Sequence, residues 1–258
     1  MRLKHHFKSE ISAYQLPFTQ NCFRVFIFIP MKKEKRHYDA TQSFIYRKCL
    51  IEWWPALDSN RRIIHYKKGE TLFKEGDTVE GVFFMLNGVV KVHKHWTDDK
   101  ELIVRFAAED DILGHRGLST HSTTYPITAT SLSDVTILFL TLDFFRVTLT
   151  VNTGFMYDFM MFFADELLLS EQRMRNLAHM QVKGRVARAL LVIEDKFGKD
   201  QEGFIGFAIT RQDIAAYTGA AYETVYKLLT EFTESGYIKT DGKRIAILNN
   251  DALLQLTR

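Results

Sequence analysis

The chain has 258 residues, 46% of them hydrophobic and 25% charged, which is enough for one large domain or two smaller ones. Its apolar runs are shorter than the roughly 20 residues that a membrane-spanning helix needs, so the sequence predicts no membrane association. The two cysteines, Cys22 and Cys49, form no CxxC pair, which argues against a disulfide framework or a cysteine-ligated metal site and favours a reducing cytoplasm. The net charge is +3, and residues 1–30 account for all of it with four basic side chains against one acidic, so total charge says nothing about a nucleic-acid partner.

The first 30 residues show no periodicity that connects them to the rest of the chain. Their apolar stretch NCFRVFIFIP contains Arg24, is too short for a membrane helix and leads to no small-residue cleavage site. Met31 then opens a hydrophilic segment that suits the start of a soluble protein. We expect residues 1–30 to be a disordered extension or an upstream translation from a misassigned start codon. Peptides from this segment in native protein would contradict the second option.

Residues 31–60 are predicted to be a helical lead-in. Apolar residues recur at mixed helical spacing from Asp39 to Leu57, which predicts one helix. Asp39 or Thr41 can cap its first turn, and Pro55 is expected to break it.

Residues 61–147 change to the short apolar period of β-strands. Strands are predicted on both sides of a turn at Lys68-Gly69, and the pair Asn87-Gly88 is the strongest short hairpin motif. A further turn is expected at residues 97–100, and the last strands at residues 129–142. Many short strands separated by turns, without helices between them, predict an antiparallel β-roll or barrel.

Residues 148–181 are predicted to form a long helix that joins two subunits. Apolar residues recur there at alternating spacings of four and three, the pattern of a two-helix seam with one polar position. Neighbouring apolar residues widen the face, as though the helix also covers the roll, and this width favours a subunit seam over a helix packed only on its own domain. The predicted seam residues are Met156, Met160, Phe163, Leu167, Ser170, Met174 and Leu177.

Residues 182–258 follow the order of a winged helix: helix, strand, two helices and a β-hairpin. The first helix is expected to end at Gly198, the stretch GFIGFAIT to form a strand, and an Asp-Gly turn to join the final two strands. The predicted fold class is therefore α+β, with an N-terminal antiparallel β-roll, a long dimerisation helix and a C-terminal winged helix-turn-helix.

The stretch ITRQDIAAYTGAAYETVYKLLTEFTESGYI has the packing pattern of a helix-turn-helix. Its apolar residues form the inner faces of two crossing helices, and Gly219 permits the turn between them. Thr210 can cap the first helix, with Asp213 in the capping-box position. The N-terminal end of the second helix is the part that reaches base edges in a major groove, although Glu223 and Lys227 are also spaced to pair with each other.

The polar residues of this motif and its hairpin are predicted to contact DNA, either at base edges or at phosphates. They are Thr210, Arg211, Gln212, Ala221, Tyr222, Glu223, Thr224, Lys227, Lys243 and Arg244.

From about residue 61 onward the chain resembles the cyclic-AMP receptor protein/fumarate–nitrate regulator (CRP/FNR) family of bacterial transcription regulators. The resemblance lies in KKGETLFKEGD, FFMLNGVVKV, TRQDIAAYTGAAYETVYKLL and DGKRIAI. It implies a homodimer on a nearly palindromic operator, with RNA polymerase as a partner if the protein is an activator. The recognition helix of this family usually carries an arginine, a glutamate and a further basic residue, at positions that are Tyr222, Glu223 and Lys227 here. Since tyrosine cannot make the two-pronged guanine contact of arginine, we expect a different operator.

The loop DDILGHRGLSTHSTTYPITATS, residues 110–131, is the ligand cassette that the resemblance implies. Members that bind cyclic nucleotides have an early Gly-Glu pair for the ribose and a late arginine for the phosphate. This chain instead has His115 and Arg116 after Gly114, and Tyr125-Pro126 at the late position. We therefore expect no cyclic nucleotide, and these five residues are the candidate pocket for an unidentified small effector. An iron–sulfur cluster is not expected either, since the family ligates it with four cysteines.

Two alternatives remain open. His93, His95 and Glu101 resemble the metal ligands of cupin enzymes, although their place near a hairpin tip favours a solvated surface over a metal site. The chain could also be a ligand-sensing module that acts on a protein partner. The intact helix-turn-helix argues against the second alternative, and we predict a cytoplasmic regulator that is not an enzyme and has no identified cofactor.

Overall fold

The computed structural model describes residues 38–97 and 100–258. The predicted extension at residues 1–30 and the middle of the predicted turn at residues 97–100 lie outside the described residues. The lead-in is not the single predicted helix, because two short α-helices, α1 (Phe44–Lys48) and α2 (Trp54–Asn60), are separated by a turn of 3₁₀ helix. Pro55 stands in the first turn of α2, where its missing N–H costs nothing, so it starts a helix instead of breaking one.

The strands of the roll among the described residues are β1 (Arg62–Tyr66), β2 (Thr71–Phe73), β3 (Gly81–Asn87), β4 (Val90–Thr97), β5 (Lys100–Ala107), β6 (Ile112–Leu113), β7 (Thr128–Ser131) and β8 (Val135–Thr141). They form two four-stranded antiparallel sheets, in the orders β1-β8-β3-β6 and β2-β7-β4-β5. The prediction of a hairpin at Asn87-Gly88 is wrong, because β3 and β4 belong to different sheets and the chain turns a corner there. Gly88 has a φ of 92°, a conformation that favours glycine.

Two helices follow the roll, where the sequence predicted one that starts near residue 148. Helix α3 (Leu142–Val151) ends at Asn152, whose buried side chain accepts from the backbone N–H of Leu50, and α4 (Thr153–His179) continues from there. Phe155 and Phe159 bury one face of α4 against the roll. Among the described residues, no helix is long and apolar enough to cross a membrane.

The C-terminal region has the predicted helix-turn-helix and wing, but GFIGFAIT is not a strand and contributes only one isolated bridge, at Ile205. The elements are α5 (Val182–Phe197), α6 (Arg211–Thr218), α7 (Tyr222–Glu234), β9 (Ile238–Asp241), β10 (Arg244–Ile247) and α8 (Asn250–Gln255). Its hydrophobic core continues into the roll through Ile103 and Phe106 of β5. The DNA-binding fold is thus packed directly on the sensor fold.

Candidate nucleic-acid interface and effector cassette

The helix-turn-helix is fixed by a cap and a turn that the sequence predicts. Thr210 Oγ1 accepts from the backbone N–H of Asp213 at 3.0 Å and caps α6. Gly219 ends α6 in the left-handed conformation, with φ 60°, which an L side chain adopts at a cost. Behind this frame, Ile214, Val225 and Phe232 are fully buried and hold α6 and α7 at their crossing.

The predicted DNA-contacting residues of α7 lie together on its exposed N-terminal end. Tyr222, Glu223, Thr224 and Lys227 are exposed, and Ala221 is the N-cap residue. Among the described residues, neither Glu223 nor Lys227 has an ion-pair or hydrogen-bond partner, so the pairing of these two that their spacing allows is not formed. Their polar groups are left available for a ligand.

The flanking residues frame the same surface. Gln212 at the start of α6 and Lys243 at the tip of the wing are exposed, and Arg211 lies with its guanidinium carbon 5.3 Å from the ring centre of Tyr226. Arg244 differs from its prediction as a phosphate contact. Its guanidinium donates to Asp200 at 2.9 Å and Glu202 at 3.1 Å, so carboxylates of the loop between α5 and α6 already balance its charge.

The late half of the effector cassette fills the inside of the roll. Tyr125 is buried, its ring stacks on Phe73 at 4.1 Å between centres, and its hydroxyl donates to the carbonyl oxygen of Gly81 at 2.9 Å. Pro126, by contrast, is exposed. The side chain at the late cassette position is thus part of the aromatic core of the roll.

The early half of the cassette faces α4 instead. Gly114 takes a left-handed φ of 82°, and a Cβ there would lie 2.9 Å from the carbonyl oxygen of Gly81. His115 is buried, with its Nδ1 3.1 Å from the carbonyl oxygen of Ile112, and burial lowers the pKa of its imidazole. Arg116 donates to Glu166 of α4 at 3.0 Å. His115 and Arg116 therefore lie on the α4 side of the cassette, away from the position of Tyr125 in the core of the roll.

Glu166 is the centre of this ionic cluster. It also accepts from Arg105 of β5 at 2.8 Å. One carboxylate of α4 is therefore bonded both to the cassette and to the strand on which the winged helix packs. Burial alone would raise the pKa of Glu166. The His115 imidazole and the Arg105 and Arg116 guanidiniums outweigh that effect and hold this pKa at about 2.

The residues of the metal-site alternative lie close together, and their one carboxylate already pairs with a lysine. His93, His95 and Glu101 place their ligand atoms within 4.8 Å. His93 is buried, which corrects the expectation of a solvated surface: its Nδ1 lies 2.7 Å from Glu101, and its Nε2 2.9 Å from Thr130 Oγ1. Burial opposes ionisation of Glu101, but His93 and Lys91, whose ammonium is 2.8 Å away, hold its pKa at about 2. A metal ion would have to compete with the lysine for this carboxylate.

Comparison with known proteins finds a matching family model in each half of the chain. The cyclic nucleotide-binding domain model matches residues 63–151, and the Crp-like helix-turn-helix domain model matches residues 184–256. The chain belongs to the CRP/FNR family of transcription regulators.

The relatives of this CRP/FNR regulator match over most of their length. A CRP-like cAMP-activated global transcriptional regulator of Mycobacterium tuberculosis is 25% identical over 79% of this chain and 91% of its own. The fumarate and nitrate reduction regulatory protein of Escherichia coli K12 is 26% identical over 92% of this chain and 89% of its own. The solved structure of FixK2 from Bradyrhizobium japonicum has the same fold, with a TM-score of 0.69 at 22% identity over 77% of this chain and 98% of that one.

The predicted seam of this CRP/FNR regulator is largely exposed in the single chain. Met156, Met160, Phe163, Leu167 and Met174 are exposed, whereas Ser170 and Leu177 are half-buried. Phe162 beside them packs against His115, as expected for a helix that also covers the roll.

Sequence reasoning missed the residues that connect the two halves of this regulator. Glu166 has three basic neighbours from distant parts of the chain, and Arg173 donates to carbonyl oxygens of Val104 in β5 and Tyr217 in α6. Only one feature of the sequence could have identified Glu166 and Arg173. Each is a charged residue of α4 that lies beside the predicted seam and on the inner side of the helix. Their partners follow only from tertiary structure.

Proposed function

We propose that this CRP/FNR regulator is a cytoplasmic homodimer that binds a nearly palindromic operator and responds to a small effector other than a cyclic nucleotide. A shift of the two α4 helices would change the spacing of the recognition helices α7, and with it the fit to half-sites one DNA turn apart. The observation that carries this proposal is the exposed N-terminal end of α7, where Glu223 and Lys227 have no ion-pair or hydrogen-bond partner within the described part of the chain.

The exposed apolar stripe of α4 supports the dimer. Leu167 is 62% exposed and Met174 is 64% exposed, although both lie inside a 27-residue helix and away from its ends. Exposed apolar residues at alternating spacings of four and three form the seam of a parallel helix pair, and pairing removes them from water. The stripe lies beside the face that packs on the roll, so one helix can serve both contacts.

The chemistry of α7 supports specific DNA recognition. Glu223 can accept from a cytosine amino group and Lys227 can donate to a guanine or a phosphate. Tyr222 is 41% exposed at the position where the family has arginine. Its ring can contact a thymine methyl group, which predicts a half-site that differs from the arginine-read guanine.

The filled roll supports an effector other than a cyclic nucleotide. A buried phosphate needs a fixed cation, and the late cassette position supplies the neutral, buried Tyr125. Arg116, the nearest basic residue of the cassette, is committed to Glu166.

The decisive experiment is operator selection with purified protein, followed by affinity measurements over a range of salt concentrations. We expect a two-fold symmetric motif whose affinity falls steeply with salt, as phosphate contacts require. Tyr222→Arg should change the selected base at one position of each half-site, whereas Glu234→Gln at the far end of α7 should leave the motif unchanged. Sequence-independent binding that is insensitive to salt would refute the DNA function.

The dimer has its own test by light scattering or sedimentation. Met160→Glu, in the stripe, should shift the protein to monomer, because it places a carboxylate against the apolar face of the partner helix. Val151→Glu is a matched control, since Val151 of α3 is 48% exposed and Met160 is 53% exposed but only Met160 is in the stripe. A monomeric wild type, or equal effects of both substitutions, would contradict the proposed seam.

A further inference from the structure

A cleft of about 290 Å³ opens at the junction of the sensor and DNA-binding folds. Its walls come from β5 of the roll, the C-terminal half of α4, the length of α5 and the end of α6. We call it the junction cleft. Its volume is close to the lower end of the range of small-molecule sites, about 300–1,000 Å³. It is separate from the interior of the roll, which Tyr125 fills.

The junction cleft is lined by more positive than negative charge. The basic residues in its wall are Arg105, Arg116, Arg173, Arg185, Arg188 and Lys196, and the acidic residues are Asp111 and Glu166. The two carboxylates are shared: Glu166 pairs with Arg105 and Arg116, and Asp111 with Lys196 at 2.6 Å. The remaining three arginines have no carboxylate partner among the described residues.

These three arginines differ in what they bind. Arg185 donates to the last carbonyl oxygens of two helices, including those of Met180 at 3.0 Å and Thr218 at 2.9 Å. Arg173 donates to carbonyl oxygens and stacks 4.2 Å from the ring centre of Tyr217. Arg188 is half-buried in the wall and has no hydrogen bond or ion pair with any described residue. Carbonyl groups satisfy donors but leave the charge uncompensated, and Arg188 has free donors as well.

The lining of the junction cleft also has apolar surface. Phe106, Val192 and Phe197 supply it, and Gln172 and Asn176 add neutral polar groups. A cleft with this composition suits a small molecule with one anionic end and an apolar body. We infer that the junction cleft is the effector site, and that its ligand is a small organic carboxylate or phosphate ester held by Arg188.

The location of the junction cleft explains how such a ligand would act, and this step rests on the proposed function. Its walls belong to the roll, to the dimer helix and to the first helices of the winged helix, so one ligand contacts all three. On α4, Arg173 of the cleft and Leu167 of the seam point roughly 120° apart at 3.6 residues per turn. Ser170 and Leu177 of the seam also line the cleft, so a partner helix in the seam would lie along one edge of it. Binding would favour one orientation of the DNA-binding fold on the roll.

The test is calorimetric binding to the full-length protein without DNA, with phenyl phosphate, benzoate and inorganic phosphate as probes and benzyl alcohol as the uncharged comparison. We expect saturable binding of phenyl phosphate, weaker binding of the other two anions and none of benzyl alcohol. Arg188→Gln should weaken phenyl phosphate binding at least tenfold, and Arg188→Lys should recover part of the loss. Arg175→Gln, which removes an exposed arginine of α4 that does not line the cleft, is the control and should bind like the wild type.

Several results would overturn the inference. They are no saturable binding of any anion at millimolar concentration, equal loss in the Arg188 and Arg175 variants, and binding unchanged by Arg188→Gln in a variant with wild-type circular dichroism and melting temperature. A second titration then adds the selected operator. Anion binding without any effect on DNA affinity would support the binding site but refute its coupling to DNA binding. Failure of the proposed DNA function would appear in the operator selection alone.

Discussion

Replacing Glu166 by glutamine tests the ionic cluster that joins the cassette, β5 and α4. The carboxylate is only 12% exposed and contacts Arg105 and Arg116 at 2.8 and 3.0 Å. Its pKa is lowered from 4.5 to about 2, and at about 1.4 kcal/mol for each pKa unit this stabilises the folded state by about 3 kcal/mol. Breaking a buried ion pair on one side costs about 3–5 kcal/mol. We expect the lower end, because Asp111 lies 3.6 Å from Arg105 and retains a partner for it.

The dependence on pH separates this ionic contribution from a packing defect. A carboxylate with a depressed folded-state pKa stabilises the protein above its unfolded pKa of about 4.5, and this stabilisation is lost as the pH falls toward the folded value of about 2. The difference between wild type and Glu166→Gln should therefore be about 3 kcal/mol at pH 7 and about 1 kcal/mol near pH 3.

The assay is urea unfolding followed by tryptophan fluorescence, at one fixed protomer concentration because a dimer is expected. Asp165→Asn is the control, since Asp165 is the exposed neighbour on the same helix and has no described ion-pair partner. A difference below about 1 kcal/mol at pH 7, or a larger one that does not change with pH, would show that Glu166 is not the ionic centre described above.

Substitutions at three further positions test other parts of the protein by the same unfolding assay. Tyr125→Ala should cost about 3–5 kcal/mol because it empties the core of the roll, while Tyr125→Phe should cost only about 1 kcal/mol, the value of its hydroxyl bond to Gly81; equal costs would contradict the packing. Gly219→Ala should cost about 1–2 kcal/mol, since its φ is 60° and the new Cβ would lie 3.2 Å from Leu177, and an unchanged stability would contradict the strained turn. Glu101→Gln should destabilise the protein above pH 4.5 and progressively less as the pH falls toward 2, and a constant difference would exclude an ionic role.

The parts of the fold that the sequence predicted are those with local causes. The cap of α6 at Thr210 and the turn at Gly219 depend on residues within one helical turn, and both are confirmed. Asn87-Gly88 was mistaken for a hairpin because a sharp turn has the same local sequence whether the next strand pairs back or enters another sheet. The pairing of β3 with β8 joins residues that are 49 to 60 positions apart in the chain, which no local pattern contains.

The candidate site shows the same division. The exposure of the α7 residues that are predicted to contact DNA could be predicted, because a helix-turn-helix positions them through its own short-range packing. His93, in contrast, is buried because its strand β4 pairs with β7, where its imidazole bonds to Thr130. The commitment of Arg244 to Asp200 depends on how the wing folds back on the loop before α6. Whether a polar residue is free for a ligand is thus decided by partners that are distant in sequence.

Three charged side chains bond the roll, α4 and the winged helix to one another. Glu166 bonds the cassette to α4, Arg173 bonds α4 to β5 and to the end of α6, and Arg185 bonds the ends of α4 and α6 together. All three lie on the wall of the junction cleft, so a ligand there contacts the bonds that fix the orientation of α6. A ligand inside the roll would have to displace Tyr125 and then act through packing alone. A ligand shifts the equilibrium between two orientations of the winged helix on the roll only as far as its affinity for the two orientations differs. The junction cleft is therefore better placed for an effector than the inside of the roll.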